Sequence, residues 1–217
     1  MKYKCLIFDH DDTTVNSTAT IHYPCFVEFL KLYRPGEALT VDDYFRYNFA
    51  PGFIEMCTEK YSMSDKELEV EVNFWQNYVV GKIPAAYPGI KEVMEKQKAA
   101  GGRIAVISHS MEGNIRRDFM HNGLPEPDLV FGWDRPLEQR KPYAWPLEQV
   151  LKQLDIRPEE ALMIDDLKPG FDMAAKCGVD FAAAGWAYDV PEIEDFMKRF
   201  SKHYFKTVAE LDAFLNE

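Results

Sequence analysis

Three carboxylates and a hydroxyl follow directly on a short apolar run. Cys5-Leu6-Ile7-Phe8 leads into Asp9-His10-Asp11-Asp12-Thr13. Asp9 and Asp11 are two residues apart, so in extended backbone they share a face and can converge on one point. One such carboxylate can attack phosphorus as a nucleophile while the second carries a proton. Crowded like charges cost free energy unless something compensates, and a divalent cation is the obvious compensator. Alone, the segment reads equally well as a solvated acidic turn in which Asp12 or Thr13 caps a helix.

Three further groups of the same kind follow. Ser108-His109-Ser110 comes after the apolar Ile104-Ala105-Val106-Ile107. A hydroxyl there can donate to a phosphoryl oxygen, or it can simply open a helix at Met111. Lys141 precedes Pro142. An ammonium at such a place can offset charge on a transferring phosphoryl group, although a lone lysine is more often a solvated one. Asp165-Asp166 follows Leu162-Met163-Ile164. Paired hard oxygen ligands suit Mg²⁺, which takes one or two protein carboxylates; the alternative is a helix cap with Asp172 in the first turn.

The elements that must position these groups are legible in outline. From Pro88 onward strand and helix patterns alternate. Helices are expected over 90–99, 111–121, 144–154, 171–177, 192–200 and 208–215, and strands over 103–107, 129–131, 161–164 and 181–184. Gly101-Gly102, Asn122-Gly123 and Gly178 act as helix stops. Such alternation predicts an α/β fold, a doubly wound, Rossmann-like parallel sheet with chemistry at the carboxyl ends of its strands. The segment 16–87 differs in texture. Phe26, Phe29, Leu30 and Tyr33, and later Leu68, Val72, Trp75 and Val79, recur at helical spacing. Thr40-Val41-Asp42-Asp43 and Ser62-Met63-Ser64-Asp65 look like helix starts. The expected organisation is a core of 1–15 and 88–217 carrying a helical insert of 16–87.

Acid cluster, hydroxyl, lysine and acid pair, each at a strand end or the loop behind it, resemble the haloacid dehalogenase-like hydrolase superfamily. Asp9-His10-Asp11-Asp12-Thr13 matches its first motif, Ile107-Ser108 the second, Lys141-Pro142 the third and Ile164-Asp165-Asp166 the fourth. The insert stands where that family carries a helical cap, and the pattern is similar to the phosphoglycolate phosphatase and β-phosphoglucomutase branch. The resemblance implies that Asp9 attacks phosphorus and forms an aspartyl-phosphate, with Asp11 as the acid and base. It implies Mg²⁺ held by Asp9, the Asp11 backbone, Asp166 and Asp165, and phosphoryl oxygens held by Ser108 and Lys141, with His10 and His109 lining the site. The implied substrate is a small phosphorylated metabolite. A phosphomutase, or a binding protein on the same scaffold, are the alternative readings. His10 stands where the family usually has an apolar residue, and His109 where it usually has asparagine. The stretch between Asp166 and Ala174 is one residue longer than is typical.

Composition narrows the classes. The chain has 217 residues, 47% of them hydrophobic, and a net charge of −11. A packed globular protein is expected, and the acidic balance argues against binding nucleic acid by phosphate neutralisation. No stretch is long and apolar enough for a spanning helix, and no signal peptide is evident. Cys5, Cys25, Cys57 and Cys177 have no metal-site spacing and read as buried thiols. A cytoplasmic monomer or homodimer is the expectation.

Overall fold

Six short apolar strands build one parallel sheet. They are β1 (Cys5–Phe8), β2 (Arg103–Ile107), β3 (Leu129–Phe131), β4 (Ala161–Asp165), β5 (Asp180–Ala184) and β6 (His203–Phe205). Their spatial order is β3-β2-β1-β4-β5-β6, and every neighbouring pair is parallel. The chain therefore begins in the middle of the sheet and winds out first one way and then the other. β1 and β4 are buried along their whole lengths. Burial on both faces explains why they read as continuous apolar runs rather than as an alternation.

The computed structural model describes all 217 residues. It divides them into Met1–Asn16 with Ala85–Glu217, and Ser17–Pro84. The second unit is helical: α1 (Tyr23–Tyr33), α2 (Val41–Phe49), the single turn α3 (Phe53–Glu55) and α4 (Asp65–Tyr78). The first unit adds α5 (Ile90–Ala99), α6 (Glu112–His121), α7 (Trp145–Leu154), α8 (Lys168–Cys177), α9 (Pro191–Phe200) and α10 (Val208–Leu215) around the sheet. The chain leaves and re-enters the sheet unit at one place. Asn16 N donates to Ala85 O at 2.9 Å, Tyr87 N to Thr14 O at 3.0 Å, and Val15 bridges Ala86 in antiparallel fashion.

Local chemistry explains the helix starts in the insert. The Thr40 hydroxyl accepts from Asp43 N, and Ser64 with Glu67 forms a reciprocal capping box. Its core is aromatic: Phe26 and Phe29 are almost fully buried, and Phe26 meets Tyr44, Phe53 and Tyr61 with centroids 5.5–5.8 Å apart. Phe53 is thus part of this packing. Trp75 Nε1 donates to His22 Nδ1 at 3.0 Å.

Two expectations and one alternative reading need correction. β6 has no counterpart among the expected strands: it is a three-residue, half-exposed edge, and so short a segment between Lys202 and Lys206 leaves no period-two signal. α8 begins at Lys168 rather than Phe171. Leu167 is extended and Pro169 sits in the first turn, where its missing N–H costs nothing. α6 is not capped by Ser108 or Ser110. Met111 occupies the cap position without a side-chain bond, and the Asp134 carboxylate instead accepts from Glu112 N at 2.8 Å. All four cysteines are free; Cys5, Cys25 and Cys57 are buried and Cys177 is half-buried. No helix is long and apolar enough to cross a membrane.

The helical unit carries one buried carboxyl, Glu71, at 3% exposure. Burial pushes it from 4.5 up to about 7, against a weaker pull from His22. While protonated it costs nothing. The cost of ionising it grows as pH rises from about 4.5 to about 7 and is constant above that. Glu71→Gln removes the titration. Thermal melting from pH 5 to 8 is expected to show the wild type losing stability relative to Glu71→Gln as pH rises. The difference is expected to be at most about 3 kcal/mol. Parallel melting curves would contradict this.

Candidate active site

Sheet register brings the first and fourth acidic groups side by side. Phe8 at the end of β1 pairs with Val106 of β2 and Ile164 of β4. The next residue, Asp9, continues the ladder by donating its N–H to Ile164 O at 2.8 Å. Asp9 and Asp165 therefore emerge as neighbours at the carboxyl edge of the sheet. Ser108 emerges beside them from β2, its N–H bonded to Phe131 O at 3.0 Å.

Lys141 closes the arrangement. Its Nζ donates to Asp9 Oδ1 at 2.6 Å and to Asp165 Oδ2 at 2.8 Å, and Lys141 itself is only 4% exposed. Burial draws the ammonium down, but the charges of Asp165 and Asp9 and their hydrogen bonds hold it above its usual range. Burial raises the Asp9 carboxyl to about 7, resisted first by Lys141. Asp166 is pushed well above the usual carboxylate range by burial, then by Asp165, Asp12 and Asp9. An excess of acid over base remains, as expected of a site built around a further cation.

The donors fit a hard divalent cation. Carboxylate oxygens of Asp9, Asp165 and Asp166 lie within 4.8 Å of one another, and all three residues are buried. Asp165 has both oxygens engaged, Oδ2 by Lys141 and Oδ1 by Leu167 N at 2.9 Å. Asp9, bonded to Lys141 through Oδ1 alone, is the freest of the three donors. Asp166 is oriented from two sides: Thr13 Oγ1 donates to its Oδ1 at 3.1 Å, and the Tyr188 hydroxyl lies 2.9 Å from its backbone O and 3.2 Å from Oδ2.

The Asp11 carboxylate stands apart from that cluster. It accepts from Ser110 Oγ at 2.6 Å and is partly exposed, which suits a group that exchanges protons. The loop from Asp9 to Val15 folds back on itself. Thr14 Oγ1 donates to Asp9 O at 2.6 Å, and Asp12 N donates to Val15 O at 2.7 Å. Asp12 adopts φ +60, a left-handed conformation that aspartate tolerates better than most residues.

The two histidines point different ways. The His10 ring is 1% exposed; its Nε2 donates to Asp118 Oδ2 at 3.1 Å, and Arg117 Nε holds Asp118 Oδ1 at 2.8 Å. It ties the first loop to α6 rather than joining the acidic cluster. His109 stays at the site, with Nε2 3.1 Å from Lys141 O. Burial, then the Lys141 charge, draws it down to about 4, so the ring is neutral near pH 7.

Four contributors lay outside the sequence expectations: Ser110 as partner of Asp11, Tyr188, Asp118 and Gly170. Only Gly170 carried a signal, as a glycine inside a helix that follows the acid pair. A Cβ there would lie 2.0 Å from Asp165 Oδ2, the oxygen that holds Lys141.

Comparison with known proteins places these observations. The family model described as haloacid dehalogenase-like hydrolase matches residues 6–184. A phosphoglycolate phosphatase from Aquifex aeolicus is 28% identical over 195 residues, covering 85% of this chain and 86% of that protein. The pyrophosphatase PpaX of Bacillus cereus is 25% identical over 191 residues, covering 86% of this chain and 85% of that protein. A solved haloacid dehalogenase-like family protein from Streptococcus pneumoniae superposes with a TM-score of 0.77 at 19% identity, covering 98% of each chain. At that identity it speaks to the fold.

Gly170→Ala tests the close packing of α8 on the site. The added methyl forces Asp165 aside and loosens its grip on Lys141. The expected result is a destabilisation of about 1–3 kcal/mol in denaturant unfolding. A variant as stable as the wild type would show that the approach of Gly170 to Asp165 is not a constraint.

Proposed function

Because the chain belongs to the haloacid dehalogenase-like hydrolases, we propose that it is a divalent-metal-dependent phosphatase acting on a small phosphorylated metabolite, through an aspartyl-phosphate on Asp9. The observation that carries this reading is Lys141, a buried ammonium holding Asp9 and Asp165 together, with Asp166 close by. The names of the relatives, a phosphoglycolate phosphatase and a pyrophosphatase, favour a small anionic substrate. We read the helical unit as the cap of such an enzyme.

Lys141 fixes one oxygen of the Asp9 carboxylate and leaves the other to attack phosphorus in line. The Asp9–phosphorus bond forms as the bond to the leaving oxygen breaks, and Asp11 gives that oxygen its proton. Asp11, now a carboxylate, takes a proton from water, which attacks phosphorus and frees Asp9. Ser108 and Lys141 hold the phosphoryl oxygens and offset charge that builds on them. Asp9 and Asp166, with Asp165 behind them, would hold Mg²⁺, which supplies further charge compensation at the phosphoryl group. His10 acts by fixing the loop that carries Asp9 and Asp11. His109, neutral and bonded to Lys141 O, is a wall of the site rather than a base.

The test is phosphate release from a panel of small phosphomonoesters and pyrophosphate, with and without Mg²⁺. Removal of the metal, or Asp9→Asn, is expected to lower kcat by at least about a thousandfold, the scale lost when a covalent nucleophile is removed. Asp11→Asn is expected to cost about a hundredfold or more, the range of general acid–base catalysis. Activity that survives Asp9→Asn would overturn the covalent pathway. Turnover that moves phosphate within a sugar phosphate, and only with a bisphosphate primer, would favour the mutase alternative.

A further inference from the structure

One arginine beside the site has no anionic partner. Seven of the nine arginines form ion pairs. The exceptions are Arg199, on the solvent side of α9, and Arg140, which directly precedes Lys141. In a chain of net charge −11 an unpaired guanidinium at the carboxyl edge of the sheet calls for a reason.

Arg140 is nevertheless held in place. Its guanidinium lies over the Trp133 ring at 4.3 Å from the centroid, and its Nε donates to Arg135 O. The Trp133 ring meets the His109 ring edge-on at 5.9 Å, and His109 in turn is bonded to Lys141 O. Trp133 N donates to Ser110 O at 2.9 Å, so the loops after β2 and β3 are locked together beneath the stack. Arg140, Trp133 and His109 thus form one wall that starts at Ser108 and Lys141. The carboxylates whose charges bear on Arg140 are Asp134 and Glu138, and neither forms an ion pair with it. Asp134 is already spent on Glu112 N. The terminal nitrogens of Arg140 therefore have donors to give, in a planar fork that suits carboxylate or phosphate.

We infer that Arg140 forms a subsite for a second anionic group on the substrate, a carboxylate or a second phosphoryl group, on the molecule whose phosphoryl group Ser108 and Lys141 receive. The inference rests on the phosphatase reading and adds to it the substrate class: phosphorylated acids or diphosphates rather than esters of neutral alcohols. Stacking on Trp133 fixes the fork before the ligand arrives, so less side-chain entropy is lost on binding.

Calorimetric titration of Mg²⁺-loaded protein with three inert ligands tests it. Methylphosphonate carries the phosphoryl mimic alone, phosphonoacetate adds a carboxylate, and methylenediphosphonate adds a second phosphonate. The wild type is expected to bind at least one of the last two about 10- to 100-fold more tightly than methylphosphonate, the range of one charged hydrogen-bonded pair. Arg140→Gln is expected to remove that preference and leave methylphosphonate affinity unchanged. Arg140→Lys, which keeps charge but loses the fork, is expected to restore part of it. Thermal melting of both variants checks that the fold is intact. The inference is overturned if the wild type shows no preference, if the preference survives Arg140→Gln, or if Arg140→Gln weakens all three ligands alike. Failure of the wild type to bind any of the three would take the phosphatase reading down with it.

Discussion

Everything at the carboxyl edge of the sheet depends on one ammonium. Asp9, Asp12, Asp165 and Asp166 are each at most 3% exposed, and the single buried base among them is Lys141. Burying charge without a partner costs far more than any helix cap or surface ion pair returns. Lys141 answers that cost twice, on Asp9 and on Asp165. Hydroxyl and amide donors take up much of the rest: Thr13 and Tyr188 on Asp166, Ser110 on Asp11, Leu167 N on Asp165. What is left over is negative charge on oxygens within 4.8 Å of one another, the condition under which a divalent cation binds without a dedicated cage.

That placement follows from sheet order. β1 and β4 are adjacent and in register, so residues one step past Phe8 and Ile164 arrive together. Ser108 comes from β2 on the other side of β1. Lys141 belongs to no strand. It reaches the centre from the loop between β3 and α7, with its carbonyl fixed by His109. Strand neighbours fix the acids to within a hydrogen bond, whereas the lysine needs a wall of its own. His109, packed edge-on against Trp133, is that wall.

The sheet, its helices and the four chemical groups could be read from the chain because each rests on a local pattern. Runs such as Leu162-Met163-Ile164 are long enough to mark a strand, and Gly178 or Asn122-Gly123 is enough to stop a helix. What escaped depends on distant partners. Nothing in the neighbourhood of Tyr188 points to Asp166, and nothing around His10 says that its ring turns to Asp118 rather than to substrate. Ser110 looked like a helix cap because serine before a helix usually is one. Here the cap comes from Asp134, twenty-two residues beyond Glu112, which leaves the hydroxyl for Asp11. Gly170 is the intermediate case: its helical setting was visible, but the carboxylate it makes room for was not.

The ladder at Val15 and Ala86 has a consequence for how such a chain can change. Asn16 and Ala85 are joined by a hydrogen bond of 2.9 Å, so the backbone departs and returns at almost the same point. Seen from the sheet, everything from Ser17 to Pro84 amounts to a hairpin turn. Loop-closure entropy rises only slowly with loop length, and here the closing contact is made by the sheet unit itself. The helices between could therefore be lengthened, shortened or exchanged for another module with the register of β1 against β4, and the chemistry it sets, left intact.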